Sequence, residues 1–172
     1  MSEKKYIIKD LRLTYSGPLS VEEFYAEVHK WMDEWDLNED LKRKSEEVAH
    51  NGKKIEWITE CWKEVVHDVR HVVRLRALFD NVTEQIIKKK DKKLRVNQAE
   101  VMIEIDGFVE THLEYHWSQK PMYQFFRTLF DKYIWPIGMT ETERNEGPLR
   151  DECYDLHSRL KAFLNLYKMK VG

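Results

Sequence analysis

The sequence predicts an α+β domain: a curved antiparallel sheet of about seven strands packed on an early helix and two C-terminal helices. Three observations predict it. Apolar and polar residues alternate over long stretches, as in half-buried strands. Asn51-Gly52 and Asp106-Gly107 are turn signals between such stretches. Apolar spacing then changes to the helical period at Val21–Trp35 and again after Trp117. At 172 residues the chain is long enough for one domain with a substantial core, taken as 1–172, with the sheet core over about 5–135 and a helical extension over about 148–169.

In chain order, Lys5 to Tyr15 reads as a strand with Leu11, Leu13 and Tyr15 on one face, broken at Ser16-Gly17-Pro18. Ser20 and Glu23 form a capping box, and Leu19 and Phe24 a hydrophobic staple. The helix they open carries Val21, Phe24, Val28, Trp31 and Trp35 as one apolar stripe. Strands follow at about Leu41–His50 and Lys53–Val65, joined by Asn51-Gly52, which pairs Val48 with Ile55 and Glu46 with Trp57. The first of these arms is highly charged and reads as an edge. Val69–Phe79 alternates again, Asp80-Asn81 turns the chain, and Val82–Lys89 is a further strand, turned at Lys90-Asp91-Lys92. The central hairpin, Val96 to Trp117, turns through a three-residue loop, Ile105-Asp106-Gly107, with Gly107 at the left-handed bulge position, which sets Ile103 opposite Val109. Ser118 caps a helix to Trp135 bearing Met122, Phe126, Leu129 and Tyr133. Gly138–Gly147 is polar and reads as a loop. Pro148 opens a last helix with Leu149, Cys153, Leu156, Leu160, Phe163 and Tyr167 on its stripe.

Charged residues make up 35% of the chain at a formal net charge of −2, which argues against a general nucleic-acid binder with a basic domain. Cys61 and Cys153 are too few and too far apart for a disulfide framework. The N-terminal MSEKKYIIKD lacks the apolar stretch of a signal peptide, and no apolar run approaches membrane-span length. The expectation is a cytoplasmic protein with no integral membrane association.

The element order, the two turn signals and the aromatic helix after Trp117 resemble the helix-grip fold of the START-like and polyketide-cyclase-like (SRPBCC) superfamily. The resemblance covers roughly residues 5 to 135. The shorter segment between Trp35 and Leu41 and the two separate C-terminal helices depart from that pattern. The chain also resembles a group of archaeal proteins with a similar strand-Gly-strand-Trp-helix pattern, from which no function follows. The helix-grip resemblance implies a curved sheet gripping a helix, with an elongated cavity that often takes an apolar ligand.

Three sets of residues carry candidate functions. A non-enzymatic binding protein would hold an apolar or amphipathic small molecule, or a partner segment, against Trp57, His71, Leu75, Val101, Ile103, Leu113, Tyr115, Phe126 and Tyr133. The competing expectation is that these side chains fill one another's space. An RNA- or ribosome-associated protein would dock through the densest charge cluster, Lys88, Lys89, Lys90, Lys92, Lys93 and Arg95, together with Lys53 and Lys54. A cyclase- or hydrolase-like enzyme would use His71 or His112 as general base, although neither has a visible partner. His112, Glu114 and His116 share a strand face, but successive same-face residues stand roughly 6.5–7 Å apart, too far to surround one ion, so no metal is assigned. No phosphate-binding, nucleophile-elbow or metalloprotease motif is present, and neither a cofactor nor a catalytic residue is assigned.

Overall fold

A computed structural model describes residues 2–66, 69–112 and 135–171. Its elements are β1 (Ser2–Leu19), α1 (Val21–Glu34), β2 (Asn38–Ala49), β3 (Gly52–Val66), β4 (Val69–Lys89), β5 (Lys92–His112) and α2 (Trp135–Val171). The strands form one antiparallel sheet in the order β1-β5-β4-β3-β2. Four strands are a simple meander. β1 lies at the far edge beside β5, so α1 carries the chain across the sheet from one edge to the other. The α+β class holds, with five long strands among the described residues where seven shorter ones were expected.

The difference comes from two dipeptides that read as turns and are not. Asp80-Asn81 is a bulge inside the continuous β4. Asn81 takes the left-handed conformation (φ 52°), and its N–H donates to Asp80 Oδ1 at 3.0 Å. Asp106-Gly107 lies in the middle of β5, where Asp106 pairs with Arg74 and Gly107 with Val73. The central hairpin is therefore absent. Ile103 faces Ala77 and Leu13 rather than Val109. Gly107 is needed for proximity, because a Cβ there would lie 2.6 Å from Cys153 Sγ on α2. The break expected at Ser16-Gly17-Pro18 is also missing: β1 runs through it along the sheet edge, where proline's missing N–H is tolerated.

The β2–β3 hairpin forms, in a shifted register. Ala49 pairs with Gly52, so the loop is His50-Asn51, and Val48 faces Lys53 rather than Ile55. Gly52 has φ 134°, and a Cβ there would meet Val82 O at 2.9 Å. The β4–β5 turn is Lys90-Asp91, both with positive φ (46° and 64°), the conformation of a type I′ loop.

Ser20 caps α1 as expected, accepting from Glu23 N at 3.3 Å, and Leu19 and Phe24 are both fully buried. The polar stretch Gly138–Gly147, expected as a loop, is helical, and Pro148 lies inside α2 rather than opening it. The helix expected over 118–135 falls almost wholly outside the described residues. α1 and α2 lie antiparallel on the inner face of the sheet. Trp35 Nε1 donates to Asp155 Oδ2 at 2.9 Å, Arg159 pairs with Glu34, and Tyr167 OH donates to Glu23. Phe24 meets Phe79 edge-on at 5.1 Å and Phe163 at 6.1 Å, closing the core between the two helices and the sheet.

Candidate functional site

Five of the expected ligand-lining residues share the inner face and are almost wholly buried: Trp57, His71, Leu75, Val101 and Ile103. Trp57 packs edge-on to Tyr25 at 4.7 Å and parallel to His29 at 6.0 Å. Leu75 stands between Thr59 and Ile105, and Val101 between Phe79 and Tyr15. Leu113, Tyr115, Phe126 and Tyr133 lie outside the described residues, as do Glu114 and His116, and nothing is described of the His112 side chain. Among the described residues no group of three His, Cys, Asp or Glu side chains is placed to hold a metal ion.

A polar cluster interrupts the inner face at the end where β3 passes into β4. Lys63 and His71 face each other across these strands, and Lys63 Nζ pairs with Glu152 Oε1 of α2. Glu152 is fully buried, and burial raises its carboxyl pKa against the opposing effect of Lys63. His71 is 2% exposed, and neither ring nitrogen has a hydrogen-bond partner among the described residues. Burial, and then the charge of Lys63, hold its pKa below the usual imidazole value. Burial pushes both cysteine thiols up to about 12, which removes them as nucleophiles at neutral pH.

The outer face is rich in charge, and the charges are paired. Glu60 is 8% exposed and accepts from Arg74 Nε and Nη2 at 3.0 and 2.7 Å. Arg76 lies between Glu56 and Glu104, at 3.4 and 3.8 Å. Arg12 adds a contact to Glu104 at 3.3 Å. Arg70 covers the Trp62 ring at 4.3 Å, and Lys4 and Arg74 cover Phe108 at 4.9 and 5.3 Å. An open cleft of about 690 Å³ crosses this face, with acidic and basic side chains balanced around it.

The basic residues of β4 and β5 have a different geometry. The pairing of β3 with β4 ends at Lys53–Val82, and that of β1 with β5 at Leu19–Asn97. Beyond those points Gln85–Lys89 and Lys92–Val96 pair with each other, forming a two-stranded arm. Its tip stands roughly 16 Å past the end of β1, at about 3.3 Å per residue. Lys88 faces Lys93 and Lys89 faces Lys92, one pair on each face of the ribbon. Lys88, Lys90, Lys92 and Lys93 line a cleft of about 490 Å³ with Asp91. Six basic residues and Asp91 give Lys88–Arg95 a formal charge of +5, so the rest of the chain carries −7 of the total −2. Lys53 and Lys54 lie at the same end of the sheet but about 20 Å back from the tip. Lys53 is paired with Glu46 at 3.0 Å, so the arm gathers its own basic residues and leaves these two apart.

Sequence reasoning located this cluster but missed the length of the arm, because the supposed turns at Asp80-Asn81 and Asp106-Gly107 cut both strands short. It also missed the partnership of Lys63 and Glu152, which are remote in sequence and meet only when α2 docks. Comparison of the chain with protein-family models, with curated proteins and with solved structures finds no match. No described helix is long and apolar enough to cross a membrane.

Proposed function

We propose that the protein is a non-enzymatic RNA-binding protein that docks through the β4–β5 arm by phosphate contact without reading base sequence. One observation carries this reading: on a ribbon that projects from the sheet, lysines face lysines directly across the strands. Directly opposed like charges repel, and a row of phosphates would neutralise them. The acidic remainder of the chain repels a polyanion and favours approach by the arm first. Between Lys88 and Arg95 there is no aromatic residue on which a base could stack, which favours backbone contact. Basic side chains on both faces suit a groove with phosphates on two sides better than a flat lipid surface.

The test is fluorescence anisotropy of labelled double-stranded RNA over a salt series. Four or five neutralised phosphates give a log–log slope of about −4. Changing Lys88, Lys89, Lys90, Lys92 and Lys93 to Glu should abolish binding. RNA binding unaffected by these substitutions, or binding to anionic lipid vesicles without RNA binding, would overturn the reading.

A second reading, an apolar or amphipathic small molecule held between sheet and helices, is favoured by His71 alone. Its two unpartnered ring nitrogens lie on the buried inner face, where a bound polar group would satisfy them. Native mass spectrometry before and after mild organic extraction tests it: a discrete extra mass lost on extraction supports it, and one unchanged apo mass removes it.

A further inference from the structure

The two edges of the sheet are built differently. β1 is irregular, with bulges between Tyr6 and Ile8 and between Ile8 and Leu11, a positive φ at Asp10, and Pro18 near its end. These are ordinary ways of preventing another strand from adding to an edge. β2 forms the other edge, exposed along nearly its whole length, and among the described residues only β3 pairs with it. After a bulge between Leu41 and Arg43 its ladder to β3 is regular through Ala49. This regular part begins Arg43-Lys44-Ser45-Glu46-Glu47, a sequence of charges that reverses sign about Ser45.

That pattern is self-complementary in one register. When an edge strand pairs antiparallel with a copy of itself, the two-fold axis is normal to the sheet and residues related through it share a face. With the axis at Ser45, Arg43 faces Glu47 of a second copy and Lys44 faces Glu46, each twice. Moving the axis to Lys44 sets lysine against lysine, and moving it to Glu46 sets glutamate against glutamate. An edge guarded by charges of one sign repels a copy of itself in every register. β2 carries both signs, arranged so that one register attracts. In that register Val48, 81% exposed, lies against the Leu41–Lys42 bulge, where Leu41 is 52% exposed. Existing contacts leave these side chains within reach of a second strand. Arg43 meets Glu56 at 3.5 Å with its side chain 61% exposed, and Glu46 meets Lys53 with its side chain 54% exposed. Lys44 extends over the Tyr25 ring at 4.6 Å.

We infer that the protein self-associates as a two-fold dimer through β2, joining two five-stranded sheets into one continuous antiparallel sheet centred on Ser45. The axis normal to the sheet points the two β4–β5 arms toward opposite ends of the dimer. The inference stands on the β2 edge alone and is independent of what the arms bind.

Sedimentation velocity of the full chain across the micromolar range tests it. The wild type should show a concentration-dependent monomer–dimer equilibrium that weakens with salt. Arg43→Glu with Lys44→Glu, or separately Glu46→Lys with Glu47→Lys, turns all four cross-strand pairs repulsive and should weaken self-association at least about tenfold. Mixing these two double variants recreates four attractive pairs and should restore a one-to-one dimer, which also establishes that both remain folded. The quadruple charge exchange should dimerise like the wild type. A wild type that stays monomeric at every concentration, a dimer indifferent to either double substitution, or no association in the mixture would each overturn the inference.

Discussion

On the outer face of the sheet, Arg74 stands opposite Glu60, and Arg76 and Arg12 stand opposite Glu104. On the arm, Lys88 stands opposite Lys93 and Lys89 opposite Lys92. Both regions are rich in charge, and both are built from directly opposed side chains on antiparallel strands. In the first, each cation is answered within the fold, so its charges are spent on stability. In the second, the fold sets lysine directly opposite lysine, an arrangement that phosphates from outside would neutralise. How the charges are paired, rather than how many there are, separates a structural surface from a candidate binding surface.

The largest effect expected from breaking this contrast is at Arg74. Arg74→Ala leaves the nearly buried Glu60 with Lys42, at 3.5 Å, as its one remaining ion pair among the described residues, and should lower unfolding free energy by about 2–3 kcal/mol, read from urea midpoints. An uncharged control lies at the seam with α2. Gly107→Ala drives a Cβ into Cys153 Sγ and should cost about 1–3 kcal/mol. Adding Cys153→Ala should recover part of that loss if the collision is its cause.

His71 provides a charge-dependent test in the core. Its pKa is lower folded than unfolded, so the unfolded chain binds the extra proton first as pH falls through the ordinary imidazole value. Stability due to neutral His71 is complete above about pH 6.5 and is lost as pH falls from there toward the folded pKa. His71→Leu should flatten this part of a stability–pH profile. Glu152, with its raised pKa, acts in the opposite sense at lower pH, because deprotonation there weakens the fold. The smallest effect is on the arm, and its sign is reversed. Lys93→Glu replaces a repulsive pair with an attractive one and should raise stability by about 0.2–1 kcal/mol while weakening RNA binding. A loss of stability there would mean that the arm lysines serve the fold after all.

Much of this was legible in the residues. Ser20 and Glu23 announced the start of α1, and the stripe from Phe24 to Trp31 identified its buried face. In β5 the apolar positions Val101, Ile103, Ile105 and Val109 are all odd, and a continuous strand keeps that parity without a break. The misreading came from giving Asp106-Gly107 the weight of a turn, when the unbroken alternation pointed to one strand. The candidate arm was legible as charge, from Lys88 to Arg95, but its reach was not, since a bulge and a turn share the same residues at Asp80-Asn81.

Local chemistry thus determined what the nearest neighbours in the chain decide: the cap and stripe of α1, the alternation of the strands, the turn residues at Lys90-Asp91 and the charge of the arm. Only the tertiary structure decided which glycine turns the chain and which makes room. Gly52 has a positive φ beside the β2–β3 loop, while Gly107 lies extended beneath Cys153, a residue 46 positions away in sequence. Only the tertiary structure, too, brought Lys63 to Glu152 and put β2 at an edge that pairs with β3 alone among the described residues. A dipeptide carries its own backbone preferences, but which of them is used depends on what packs against it, and that is settled by contacts between residues far apart in the chain.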